Sequence, residues 1–210
     1  PVLSRGLGDV YKRQEWGSTG RVFISKYVNR SNTDIYEYYL DGEKIYGMPT
    51  PKLRESDRLT KNSAIETEPA LSPDGRYLAL ISDRTGSPQV YVRDMQRKKL
   101  TRITENGNYN VSPSWSPDGK FIAYASRRSG VSSIYRIDPK SKEENRVTPK
   151  NMNAESPTWS PDGSMIAFSG KKGGDWKIYY SLSSGGQAVR LTNSKAGLQE
   201  TMPSWGPSLR

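Results

Sequence analysis

The apolar positions of this chain come in short pieces. Residues 120–126 form a run of β-favouring, mostly apolar residues, suited to one buried strand. Ahead of it, residues 113–116 read as a strand that ends in a tight turn. There Pro117 presets φ, Asp118 can bond its own backbone and Gly119 can take the left-handed position. Behind it, a polar hairpin around residues 127–130 leads to a third strand at 133–138, and a second hairpin leads to a short fourth strand at 146–148.

This four-strand unit repeats. Ser72-Pro73-Asp74-Gly75 recurs as Ser116-Pro117-Asp118-Gly119 and as Ser160-Pro161-Asp162-Gly163, in steps of 44 residues. An Ile/Val-Tyr pair ends at Tyr36, Tyr91, Tyr135 and Tyr179, in steps of 55, 44 and 44. A third marker, Arg-Leu/Ile/Val-Thr, ends at Thr60, Thr104, Thr148 and Thr192, again 44 apart. Three markers in one register predict an all-β protein, a β-propeller of four-stranded blades with about four blades present. The blades are expected near residues 20–68, 69–112, 113–156 and 157–210, within a propeller region of 15–210.

The first unit shows strands at 21–25, 33–40 and 57–60 but no first strand, and it carries about 11 extra residues around 44–55. Such an insertion in a hairpin is thermodynamically cheap. Residues 202–207 read as an unpaired first strand, expected to close the ring by joining the first blade. Residues 1–14 fit no part of the repeat and are expected to be a non-native junction or a disordered arm.

Composition narrows the chemistry. The 210 residues include 32 Lys+Arg against 22 Asp+Glu, a net charge of +10, with no histidine and no cysteine. A disulfide framework, Cys or His metal ligands and Ser-His-Asp or Cys-His catalysis are therefore excluded. Tyr (13), Trp (5) and Gly (19) are plentiful while only 33% of residues are hydrophobic, as suits short strands and tight turns. No stretch approaches the roughly 20 apolar residues of a membrane span, and no apolar leader is visible.

The positive charge is spread over the blades instead of forming a patch with stacking aromatics, which argues against nucleic acid. Asp74, Asp118 and Asp162 read as turn residues and not as metal ligands. Trp115, Trp159 and Trp205 share one strand position, with Leu71 in the blade before, and read as packing between blades. No catalytic residue, metal or cofactor is expected.

The loops that lead from each fourth strand to the next first strand, residues 62–68, 105–112, 150–156 and 193–201, fall on one face together with the hairpins at 83–88 and 127–131. Binding concentrates on loops held by a rigid scaffold. Thr67, Glu68, Arg84, Tyr109, Asn110, Arg127, Glu155 and Glu200 are the candidate partner-binding residues there, with Glu66 beside them. The alternative is that these loops only satisfy the blade ends.

The repeats resemble the TolB family. The resemblance rests on Thr67-Glu68-Pro69, on Leu71 to Gly75, on the run from Ile81 to Tyr91, on Gly107 to Asn110 ahead of Pro113, and on Pro203-Ser204-Trp205-Gly206-Pro207. It covers about residues 20–210. It implies a fragment of a six-bladed propeller that the family carries behind a small α/β domain. It also implies a non-catalytic periplasmic role in the Tol–Pal system, supporting outer-membrane integrity and cell division. In that role the propeller holds the peptidoglycan-associated lipoprotein Pal, and a part missing here engages TolA. Thr67 and Glu68 match the family's Pal-binding motif best. Two alternatives stand beside this one. One is the substrate-gating propeller of a prolyl-oligopeptidase-like peptidase, against which no Gly-x-Ser-x-Gly nucleophile elbow occurs. The other is a generic extracellular binding propeller.

Overall fold

The computed structural model describes residues 21–29, 32–38 and 58–206, with the backbone of the strand segments at 14–16, 39–41, 44–45, 48–49 and 52–57. The expected residues 1–14 segment lies, Gln14 apart, outside the described residues.

Every regular element is a strand. The first sheet joins β1 (Gln14–Trp16), β2 (Arg21–Tyr27), β3 (Thr33–Asp41) and β6 (Lys52–Arg58). Between them β4 (Lys44–Ile45) and β5 (Met48–Pro49) pair as a separate ribbon within the expected insertion. The second sheet runs β7 (Glu66–Leu71), β8 (Tyr77–Ser82), β9 (Gln89–Asp94) and β10 (Lys99–Arg102). The third is β11 (Tyr109–Trp115), β12 (Ile122–Arg128), β13 (Val131–Ile137) and β14 (Glu144–Arg146). The fourth is β15 (Asn153–Trp159), β16 (Met165–Lys171), β17 (Lys177–Leu182) and β18 (Val189–Arg190). Each is an antiparallel meander in sequence order.

The core lies between the sheets. Because strand side chains alternate faces, each second strand serves two neighbours. Leu78 and Leu80 pack on Phe23, Ile35 and Leu59 of the first sheet, while Ala79 packs toward Trp115, Ile122 and Tyr124 of the third. One repeat later Ile122 and Tyr124 face back, and Ala123 and Ala125 face forward to Trp159, Ile166 and Phe168. Large residues thus point to the preceding blade and small ones to the next, and close packing follows from that complementarity.

Two of the three sequence markers form one physical device. The hydroxyl of Thr60, Thr104, Thr148 and Thr192 accepts the backbone N–H of Ile35, Val90, Ile134 and Ile178, at 2.9, 3.0, 3.1 and 3.0 Å. The Arg two residues before each Thr donates Nε–H to that Thr's carbonyl, at 3.1, 2.6, 2.9 and 2.6 Å. The fourth strand is clasped to the third at its end, where ladder bonds run out. The Ser-Pro-Asp-Gly turn closes on itself in the same way. Ser116 Oγ donates to Asp118 Oδ1 (2.7 Å) and accepts the Phe121 N–H (2.9 Å), and Gly119 sits at φ 69°. The turn-residue reading of these aspartates therefore holds.

Two expectations are corrected. The first sheet does have a first strand, because β1 pairs with β2, Trp16 lying opposite Val22 as Trp115 lies opposite Ile122. Its signal was present in the spacing: Trp16 precedes Leu71 by 55 residues, the same step as Tyr36 to Tyr91. With that place filled, the end of the chain does not close onto the first blade. Trp205 instead docks on the fourth sheet, its indole N–H donating to the Thr158 carbonyl at 3.2 Å. The same bond joins Trp115 to Ala70 (3.0 Å) and Trp159 to Ser114 (2.9 Å), so residues 201–206 follow the course of a further inner strand. Among the described residues, none of the three core clusters joins the first sheet to the fourth.

Candidate functional site: the inner-strand face

The candidate residues sit in strands more than in loops. The loops expected at 62–68, 105–112 and 150–156 end early, because β7, β11 and β15 begin at Glu66, Tyr109 and Asn153. Thr67, Glu68, Tyr109, Asn110 and Glu155 thus stand on the innermost strands. A bulge masks these strand starts in the sequence. The register shifts between Thr67 and Ala70, Val111 and Ser114, and Glu155 and Thr158. At each shift one residue takes the left-handed conformation: Glu68 (φ 51°), Ser112 (57°) and Ser156 (54°), with Met202 (57°) at the matching place near the end. A proline follows each of them, a residue that strands tolerate at bulges.

The structure gathers the candidates into separate clusters, one per blade. In the second sheet the Glu66 side chain is fully buried and accepts hydrogen bonds from Arg84, from Ser82 Oγ (3.1 Å) and from Asn62 Nδ2 (2.9 Å). Arg84 also lies over the Tyr91 ring, 5.2 Å from its centroid. Glu68 reaches across to the third sheet, where its Oε2 accepts the Ser112 N–H at 2.8 Å. In the third sheet Tyr109 and Arg127 are cross-strand partners, the guanidinium 4.8 Å from the ring centroid. Asn110 is buried and donates to Gln89 Oε1 at 2.7 Å and to the Asn106 carbonyl at 3.0 Å. In the fourth sheet Glu200 Oε2 accepts from Thr192 Oγ1 at 2.5 Å and lies 3.7 Å from Lys177 Nζ. Glu155 is half-buried opposite Ser169, and no side-chain partner is seen for it among the described residues.

Glu68, Arg84, Asn110 and Glu200 are thus engaged within the fold, whereas Glu155 and Arg127 make no ion pair among the described residues. Among the described residues, Asn110 Oδ1 and Glu66 Oε2 are buried acceptors without a donor. Sequence reasoning missed Gln89 and Lys177, which occupy the same register place before the Ile/Val-Tyr pair, as Asp34 does in the first sheet. That place changes chemistry in every blade, so no repeat pattern marks it. Among the described residues there is no cluster of three or more acidic side chains able to hold a metal ion.

Several carboxylates are held below the usual carboxylate range. The Ser160 hydroxyl, then the Ser164 N–H and hydroxyl, lower Asp162 to about 2. At Asp74 the Ser72 hydroxyl lowers the pKa in the same way. At Asp118 and Glu144 burial pushes upward, but hydrogen bonds outweigh it: from Ser116 and Lys120 at Asp118, and from Arg128 and Tyr124 at Glu144. A folded-state pKa below the unfolded value of about 4 gives stability that is complete above that value and lost as pH falls through the folded pKa. With no histidine to titrate near neutrality, the thermal unfolding midpoint should stay level from pH 8 to 5. It should then decline from about pH 4 toward 2, and Asp162→Asn should shrink the lower part of that decline. A fall already between pH 7 and 5 would contradict the assignment.

Comparison with known proteins agrees with the architecture. A segment of 34 residues is 50% identical to the Tol-Pal system protein TolB of Bordetella pertussis, covering 16% of this chain and 8% of that protein. The crystal structure of TolB from Acinetobacter baumannii matches with a TM-score of 0.70 at 23% identity, over 90% of this chain and 45% of that one. A puromycin-hydrolyzing peptidase from Mycobacterium tuberculosis matches with a TM-score of 0.64 at 13% identity, over 90% of this chain and 30% of that one. Likeness at such identities shows the fold alone, and the chain spans less than half the length of each of these proteins. The family model described as the TolB beta propeller domain matches residues 35–209, from the third strand of the first blade to the docked segment beyond the fourth, and the chain belongs to that family.

Proposed function

We propose that this chain is a non-catalytic, protein-binding propeller of the Tol–Pal system, acting in the periplasm. It would hold Pal on the face that carries Thr67, Glu68, Arg84, Tyr109, Asn110, Arg127, Glu155 and Glu200. TolA would be engaged by the domain that the family carries ahead of its propeller, and the assembly would serve outer-membrane integrity and cell division. The observation that supports this reading most is the family match over residues 35–209. Within it, Thr67 and Glu68 stand on an innermost strand, and Glu155 occupies in the fourth sheet the register place of Thr67 in the second, opposite Ser169 as Thr67 is opposite Ile81. No chemistry is assigned to the site.

The test is calorimetric titration of the protein with Pal from the same source. Glu155→Lys should weaken binding by at least about tenfold, equivalent to about 1.4 kcal/mol. Glu68→Gln, which loses charge but can still accept the Ser112 N–H, should weaken it less. Saturable binding unchanged by Glu155→Lys would remove that residue from the site, and no binding by the folded protein would remove Pal.

A further inference from the structure

On the face opposite the inner-strand starts, a cleft of about 230 Å³ opens between the second and third sheets. Its floor is apolar: Val92, Ile103, and the Tyr77 and Trp115 rings stacked at 6.3 Å. Its rim carries Arg97, Lys99 and Lys140, all exposed and without an ion-pair partner among the described residues. The nearby carboxylates are already used. Asp94 accepts the N–H groups of Gln96 (3.0 Å) and Arg97 (2.9 Å) and lies 3.8 Å from Arg76, and Asp138 accepts the Lys140 N–H at 2.7 Å. What remains is an apolar floor under a rim on which Arg97, Lys99 and Lys140 outnumber the single lining carboxylate, Asp94.

The next cleft, between the third and fourth sheets, serves as a natural comparison. There Arg136 stands where Val92 stands here, 44 residues on, with its guanidinium 4.6 Å from the Phe121 centroid, and no lysine lines that cleft. The next cleft, at about 390 Å³, is no less open, so what sets the first apart is its apolar floor and its lysine rim.

We propose that the cleft between the second and third blades is a docking site for an acidic peptide segment of a partner protein, one apolar or aromatic side chain resting on the apolar floor beside Tyr77 and Trp115 while flanking carboxylates meet Arg97, Lys99 and Lys140. The charge is complementary to Asp and Glu. A nucleic acid would need a continuous basic track, which Asp94, Asp118 and Asp138 interrupt around this cleft. The site is independent of the Pal-binding reading, because it lies on the other face and uses none of its residues.

The experiment is fluorescence anisotropy of a labelled Asp-Glu-Trp-Glu-Asp peptide with the full chain at low salt. Saturable binding is expected, weakening with added salt as exposed charges are screened. Lys99→Glu with Lys140→Glu should reduce affinity at least about tenfold, and Val92→Arg, which imports the residue of the next cleft, should abolish it. A peptide with Gln and Asn in place of the acids should bind at least about tenfold more weakly. Absence of saturation at millimolar peptide, or equal binding by the Gln/Asn peptide, would overturn the proposal. So would binding unchanged by the lysine reversals, which lie on the exposed rim and leave the core intact should Val92→Arg fail to fold.

Discussion

Trp115→Ala is expected to destabilise the protein by about 4 kcal/mol, the largest loss from any single substitution considered. The side chain is only 9% exposed, packs between the second and third sheets with Ala79, Ile103 and Tyr124, and donates its indole N–H to the Ala70 carbonyl. Truncating a buried tryptophan costs about 3–5 kcal/mol through lost burial and the cavity left behind. Leaving the Ala70 carbonyl without its donor adds roughly 1 kcal/mol. Denaturant unfolding followed by far-UV circular dichroism would measure the change. Trp115→Leu should cost about half as much, because Leu71 already fills the equivalent place one repeat earlier. Equal losses for the two variants would mean that the indole bond, and not packing volume, governs this position.

The second large effect is expected at Arg84. Its partner, the Glu66 carboxylate, is fully buried and faces two neutral donors besides the guanidinium. Removing one member of a buried ion pair costs about 3–5 kcal/mol, because the other charge is left uncompensated. The Arg84 side chain is 33% exposed, so water would recover part of this and about 2–3 kcal/mol is expected for Arg84→Met. Glu66→Gln combined with Arg84→Met should regain most of the loss, giving a coupling above about 1 kcal/mol in a double-mutant cycle. Additive losses would show that Arg84 stabilises the blade through its stacking on Tyr91, 5.2 Å from the ring centroid, and not through Glu66.

These two predictions mark the difference between what could be read from the residues and what could not. The tryptophan register, Trp115, Trp159 and Trp205, was legible as inter-blade packing because identical contacts repeat at a fixed step. The pairing of Glu66 with Arg84 was not, since no other blade carries the same pair: the corresponding residues are Asn110 and Arg128 in the third sheet and Ala154 and Lys172 in the fourth. Strand alternation predicts the candidate residues on one face, and the structure sets them in separate clusters, one per blade. That four of them are engaged within the fold, while Glu155 and Arg127 make no ion pair among the described residues, depended on individual side-chain distances.

Local chemistry was enough to establish the four-strand unit, its period and its turns. Asp118, Gly119 and the Thr104 clasp act within a few residues or across one hairpin, so their roles are written in short stretches of chain. The extent of the inner strands, the use of Trp16 as the first blade's inner-strand residue, and the docking of Trp205 on the fourth sheet were decided in three dimensions. Each depends on a partner distant in sequence: Ser112 N–H for Glu68, 44 residues away, and the Thr158 carbonyl for Trp205, 47 residues away. At the bulges a single left-handed residue shifts the register without leaving a mark in the hydrophobic pattern, and the floor beside Val92 is apolar where the matching place one repeat later carries Arg136.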